Sequence, residues 1–78
     1  MEYKIMKVFK EWKKNTGYKY MMLFKFNYRE RVLYIYTAYP GLIIGRAGKD
    51  IDAIRPKLDE IINGEYTIKF IETSKFYA

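Results

Sequence analysis

The sequence contains no cysteine and no histidine, and these two absences exclude several kinds of site. Without cysteine there are no disulfide bonds, and without either residue the usual structural zinc sites cannot form. The Ser-His, Cys-His and His-metal arrangements on which many enzymes depend are absent for the same reason. The sequence therefore predicts a protein that is not an enzyme and that carries no metal and no cofactor.

Long uncharged runs are also absent. The longest extends over 14 residues, from Val32 to Gly45, and Pro40-Gly41 interrupts it. A membrane-spanning helix needs about 20 apolar residues. Lysines also break up the N-terminal apolar residues that a signal peptide would keep together. We therefore expect no membrane partner and a cytoplasmic location.

Apolar and aromatic residues are abundant. Of the 78 residues, 50% are hydrophobic and 19% aromatic, with nine Tyr, five Phe and one Trp. This composition is typical of a folded chain, and a chain of this length builds one modest core. We expect a single domain over residues 1–78, in which residues 73–78 form a frayed tail.

Positive charge is concentrated in the first third of the chain. Residues 1–25 carry seven lysines and two glutamates, and the formal net charge of the whole chain is +6. Such asymmetry favours an anionic partner, either a nucleic acid or a membrane surface. The alternative is that the lysines only keep an aromatic-rich domain in solution.

Hydrophobic periodicity divides the chain into six elements. The predicted elements are a helix over 2–15, strands over 19–28 and 31–38, a single helical turn at 42–44, a helix over 49–62 and a strand over 66–72. This order, αββααβ, predicts an α+β fold with a three-stranded sheet and the helices packed on one face. Pro56 lies inside the second long helix, where it removes a backbone hydrogen bond and should kink the axis.

The first helix has two chemically different faces. Its apolar residues fall within an arc of about 100° and are Ile5, Val8, Phe9 and Trp12. The opposite face carries Lys7, Lys10 and Lys14. This pattern predicts a helix that packs on the core and leaves its lysines in water; the alternative is a membrane-surface or transit-type helix.

The most informative segment is Gly45-Arg46-Ala47-Gly48, which joins two helical segments. Glycine allows a sharp turn and a close approach of another backbone, and Gly48 begins a helix whose free amides point outward. Arg46 and Lys49 add positive charge. The segment therefore predicts a site for a phosphodiester backbone. A P-loop and a dinucleotide fingerprint are excluded, because both need a glycine where Ile43 stands.

The segment from Ile44 to Ile51 resembles the signature of the KH family, a family of RNA- or single-stranded-DNA-binding modules. That signature is isoleucine-glycine, two variable residues, glycine, two further residues and an apolar residue. The element order is similar to the prokaryotic, type II, version, and the resemblance covers residues 2–72. Residues 37–45 look most like the KH domain of a bacterial small-subunit ribosomal protein.

The resemblance implies roles for particular residues. The loop that clamps the backbone of about four nucleotides would consist of Gly45, Arg46, Ala47 and Gly48, with Lys49 beside it. The adjoining groove for the bases would be formed by Gly41, Ile44, Ile51 and Arg55. Lys7, Lys10 and Lys14 would form an auxiliary basic face.

Several of these assignments have alternatives. Ile44 and Ile51 fit core packing as well as a groove floor. For Arg55, the alternative to a contact with bases is that its position before Pro56 simply forces the side chain outward. The chain also departs from the family pattern: Tyr39 replaces an arginine that the ribosomal relatives carry, and carboxylates follow the loop at positions 50 and 52.

The sequence thus predicts a non-catalytic module that binds single-stranded RNA in preference to single-stranded DNA. One module makes few phosphate contacts, so we expect a protein partner, self-association or a larger ribonucleoprotein. The alternative is a KH-like protein–protein interaction domain that has lost nucleic-acid binding. A nuclease is disfavoured, because Asp50 and Asp52 are two apart on a helix and do not face each other.

Overall fold

The order of helices and strands is the one that the sequence predicts, and the α+β fold is confirmed. The computed structural model describes residues 1–73. Its elements are α1 (Glu2–Thr16), β1 (Met22–Asn27), β2 (Val32–Thr37), α2 (Pro40–Ile44), a single 3-10 turn (Arg46–Gly48), α3 (Lys49–Ile61) and β3 (Thr67–Glu72). Apart from Thr73, the predicted frayed tail lies outside the described residues.

The amphipathic pattern of the N-terminal segment forms α1. Ile5 and Phe9 are fully buried, and Val8 and Trp12 pack against the same core. Gly17 ends the helix in the left-handed conformation (φ 79°), and its N–H donates to the carbonyl oxygen of Lys13 at 2.9 Å. Glycine adopts this conformation without a steric penalty. The predicted packing helix is therefore confirmed.

The sheet has β2 at its centre. β1 pairs with β2 in antiparallel and β3 pairs with β2 in parallel orientation, in the order β1-β2-β3. Residues of β2 alternate between the two faces of the sheet. Leu33, Ile35 and Thr37 point toward the helices and have no exposed surface. Residues from α3 complete this core, among them Ile54 and Leu58. The helices thus cover one face of the sheet.

The β1–β2 connection differs from the predicted two-residue link. It has four residues, 28–31, because the ladder ends at the pair Asn27–Val32. Arg31 adopts a positive φ of 57°, and the N–H of Glu30 donates to Asn27 Oδ1 at 2.9 Å. The prediction of a tight connection at residues 29–30 was right in place but two residues too short, because no glycine marks the turn and an arginine adopts the positive φ.

The second long helix, α3, continues through Pro56, which is exposed. The kink expected there stays a prediction. Within residues 1–73, none of the helices is both long and apolar enough to cross a bilayer.

Candidate nucleic-acid interface

The loop between α2 and α3 turns sharply within four residues, 45–48. Three of those four residues have positive φ: Gly45 (77°), Ala47 (56°) and Gly48 (76°). Backbone hydrogen bonds hold the turn, since Gly45 N–H donates to the Gly41 carbonyl oxygen at 3.0 Å and Gly48 N–H donates to that of Gly45 at 3.2 Å. The loop is therefore a compact structure that offers its outer side to solvent.

Gly45 is required for two separate reasons. Its conformation, φ 77° and ψ 174°, belongs to a region that is essentially restricted to glycine. A Cβ atom at this position would also lie 2.6 Å from Cγ of Asp50, so another side chain would meet the aspartate. Sequence reasoning explained the turn but missed the contact, because nothing in the spacing shows that Asp50 folds back on the loop.

Two cationic side chains stand at the exposed part of the loop, and two carboxylates follow them in the first turn of α3. Arg46, Ala47 and Lys49 are exposed, and no described side chain caps the N-terminus of α3 at Gly48. The first amides of a helix lack intrahelical partners and carry the positive end of its dipole. Arg46 and Lys49 thus lie in the same exposed stretch of chain as these amides, and their contact with phosphate stays a prediction.

The two carboxylates after the loop are turned to different partners. The Asp50 side chain packs against Gly45, and Asp52 Oδ1 lies 3.9 Å from Nε of Arg55. Both suit the first turn of α3, where negative charge stabilises the helix dipole. The Arg55–Asp52 pair is exposed and long, so it contributes little stability.

The predicted groove residues occupy different depths. Gly41 is exposed and a Cβ atom there would meet nothing within 4 Å, whereas Ile44 is half-buried against the core. Ile51 is only 6% exposed and belongs to the core itself. Core packing therefore accounts for Ile51, and contact of either isoleucine with a base stays a prediction.

Arg55 borders an open groove of about 660 Å³ between α3 and the segment that leads into β3. On the facing wall, the Tyr66 hydroxyl donates to Asp59 Oδ1 at 2.6 Å. Partial burial, together with this hydrogen bond, raises the pKa of Tyr66 to about 12. Arg31 also lines the groove, and its Nε donates to the Glu65 carbonyl oxygen at 3.1 Å. Sequence reasoning assigned Tyr66 to the last strand, over 66–72, and left it out of the site; the aromatic residue at the start of that strand was the available signal.

Tyr39, which stands where an arginine was expected from the resemblance, belongs to an aromatic cluster beside α2. Its ring centroid lies 4.6 Å from that of Tyr20, and the contacts continue through Tyr18 to Trp12, each 5.3 Å apart. Tyr39 is 47% exposed. The position therefore offers a ring face in place of a charge.

The three lysines of the auxiliary basic face, Lys7, Lys10 and Lys14, are exposed along α1. The C-terminal end of α1 approaches the loop, because Thr16 and Gly17 line a pocket together with Leu42 and Asp50. At 1.5 Å per residue, the lysine face extends about 10 Å along the helix, away from that end. The three lysines line a different part of the surface from the loop.

Comparison with known proteins agrees with this geometry. The chain belongs to the KH family: the family described as "KH domain" matches residues 4–74. KH domains are modules that hold a nucleic-acid backbone at a GxxG loop. The resemblance inferred from Ile44–Ile51 is thereby confirmed, as is the type II order of elements.

Curated relatives carry the name "Small ribosomal subunit protein uS3". The protein of Maricaulis maris is 35% identical over 72 residues, which cover 92% of this chain and 30% of that relative. The proteins of Rhizobium johnstonii and Bartonella quintana are 51% and 49% identical over 41 residues, or 53% of this chain and 17% of each relative. The chain thus spans less than a third of the relatives' length. No solved structure matches it.

Proposed function

We propose that this chain is a non-catalytic module that binds single-stranded nucleic acid, with RNA preferred, and that the Gly45–Gly48 loop holds the phosphodiester backbone. The observation that supports this most is the turn with three positive-φ residues at the uncapped start of α3, with exposed Arg46 inside it and exposed Lys49 directly after it. Phosphate is the ligand that such amides and cations favour.

The bases would lie beside the loop, toward Gly41, Ile44 and Arg55. A Cβ atom at Gly41 would meet nothing within 4 Å, and Ile44 is half-buried against the core. Arg55 keeps 44% of its side chain exposed, and its bond to Asp52 is weak enough to be exchanged for a base edge. Ile51 would contribute only the small surface that the core leaves open.

The partner would be a strand within a larger assembly. A single module offers few phosphate contacts, so its affinity alone is on the order of micromolar at physiological salt. The relatives are small-ribosomal-subunit proteins by name, and a ribonucleoprotein is the setting we propose here, with further contacts from protein or from self-association. The single-domain extent over residues 1–78 and a cytoplasmic location are part of the same proposal.

One observation favours a second function. Asp50 and Asp52 place two carboxylates in the first turn after the loop, where they repel phosphate. A KH-like domain that has exchanged nucleic acid for a protein partner would tolerate them. Only the first function predicts an RNA affinity that depends on salt and on the charge of α1.

The affinity for single-stranded RNA should fall steeply with salt. We expect the loop and the cations in and beside it to contact three to five phosphates. Each contact releases counterions and adds about −0.7 to the slope of log affinity against log salt, so the slope should be roughly −2 to −4. Fluorescence anisotropy at a series of salt concentrations measures this slope. A flat response would favour the protein-interaction alternative.

Neutralising the lysine face should weaken binding of all RNA sequences equally. Lys7, Lys10 and Lys14 replaced together by glutamine remove three exposed charges without changing helix propensity much. We expect a lower affinity that is uniform across oligonucleotides and a shallower salt slope. The matched control replaces the same residues by arginine, which keeps the charge and should keep the affinity. Equal binding by the glutamine and arginine variants would assign these lysines to solubility alone.

A further inference from the structure

The sheet has a second face that the helices leave uncovered. Strand register arranges its outward residues in three rows across β1, β2 and β3. The rows are Leu23–Tyr36–Ile71, Lys25–Tyr34–Lys69 and Asn27–Val32–Thr67. Tyr34 and Tyr36 are half-buried, and Val32 is only 7% exposed. Leu23 is 56% and Ile71 37% exposed. A face that packed against nothing would usually carry polar side chains, whereas this one has two tyrosines at its centre.

The two tyrosines form an ordered aromatic surface. The rings of Tyr34 and Tyr36 are nearly parallel, at 29°, with centroids 6.4 Å apart. The Tyr34 hydroxyl donates to Oε1 of Glu30 at 3.1 Å, which fixes the direction of its ring and raises its pKa. Rings held in place in this way lose little freedom when a planar ligand stacks on them.

Two positive charges and one negative charge lie beside the rings. Lys25 and Lys69 flank Tyr34 in the same row, one on each neighbouring strand, and both are exposed. None of the nine strand positions of this face is a carboxylate; Glu30, in the adjoining turn, is bonded to Tyr34. Aromatic faces between cations suit a ligand that has flat rings joined by a polyanionic backbone.

A second copy of the chain fits this face less well. A symmetric pair of sheets would set the same patch against itself. Lys25 and Lys69 would then bring four ammonium groups into one interface without an acidic partner among the facing strand positions. Like charges in that arrangement oppose association.

We propose that the outer face of the sheet is a second binding surface for single-stranded nucleic acid, on which bases stack over Tyr34 and Tyr36 while Lys25 and Lys69 contact phosphates. This surface lies across the sheet from the helices and uses no residue of the Gly45–Gly48 loop.

The test replaces both tyrosines by valine, which keeps strand propensity and removes the rings. Oligouridine RNA of about 12 nucleotides, a length within the range of single-strand sites, is titrated by fluorescence anisotropy. Affinity should fall about tenfold or more, since each stacked base is worth on the order of tenfold. Replacing both tyrosines by phenylalanine should preserve the affinity. Tyr28→Val is the matched control, because Tyr28 is 64% exposed but contacts Phe26 on the helix side of β1.

Parent-like binding by the valine pair would overturn the proposal. So would sedimentation showing that the parent is a dimer and the valine pair a monomer, because the face would then serve self-association.

Loss of binding in an aspartate variant of Arg46 and Ala47 with no loss in the valine pair would refute the sheet surface and leave the loop assignment standing. The reverse result would support the sheet surface and refute the loop.

A second variant keeps the proposal testable if the valine pair fails to fold. Lys25 and Lys69 replaced by glutamine leave both rings in place. The magnitude of the salt slope should then fall by about 1.4, because two phosphate contacts of about 0.7 each are lost. An unchanged slope would overturn the role of the lysines and with it the proposed surface.

Discussion

Aspartate at both Arg46 and Ala47 should abolish detectable binding of single-stranded RNA at the loop while leaving the fold intact. One positive charge disappears and two negative charges come close to the phosphates, each costing on the order of several kcal/mol before salt screening. Micromolar binding cannot survive such a loss. Ala47 already has φ 56°, a conformation that aspartate tolerates better than most residues. Anisotropy and a thermal melt measure the two effects.

The matched control places asparagine at the same two positions. Asparagine has nearly the same shape as aspartate and also accepts positive φ, but it adds no negative charge. The control should bind more weakly than the parent, because Arg46 is gone, and more strongly than the aspartate pair. RNA binding by the aspartate pair at the parent's affinity would show that the loop does not hold phosphate.

Gly45→Ala should destabilise the domain strongly. The backbone conformation costs a residue with a side chain of order 1–3 kcal/mol, and the new Cβ atom would lie 2.6 Å from Cγ of Asp50. At roughly 4–8 °C per kcal/mol for a domain of this size, the melting temperature should fall by about 10 °C or more. Circular dichroism melts provide the measurement.

Gly41→Ala is the control for the effect of alanine itself. Gly41 lies in α2 without a positive φ, and its Cβ atom would meet nothing within 4 Å. Alanine should therefore be neutral or stabilising by up to about 1 kcal/mol. Adding Asp50→Ala to Gly45→Ala removes the carboxyl group and should restore only part of the loss. The backbone strain remains, and so does the contact with Cβ of residue 50, which would lie 2.8 Å from the new Cβ atom. Equal melting temperatures for Gly45→Ala and Gly41→Ala would contradict the loop conformation described here.

The extent to which the fold could be predicted depends on the kind of interaction involved. Local periodicity predicts α1 and α3 closely, because a helix that buries one face has apolar residues three and four positions apart in the sequence. The left-handed Gly17 is predictable for the same local reason. The positive φ of Arg31 is not, since the turn is held by Asn27 and by the pairing of two strands. Spacing also leaves open that β3 runs parallel to β2.

The candidate site divides in the same way. The exposure of Arg46 and Lys49 and the need for glycine at 45 and 48 follow from local sequence. The contact of Asp50 with Gly45, the depth of Ile51 and the hydrogen bond between Tyr66 and Asp59 depend on how α3 packs against the rest of the domain. Such contacts join residues that sequence spacing alone does not bring together.

The most direct measurement of the central claim is an NMR titration of the labelled protein with single-stranded oligouridine RNA. Backbone amides that donate to phosphate change their chemical shifts on binding, and the change is independent of any substitution. If the loop holds the phosphodiester backbone, the amides from Gly45 to Lys49 shift progressively and saturate together with the anisotropy signal. If those amides stay unmoved at saturation while RNA is bound, the loop does not hold the backbone and the central claim is contradicted.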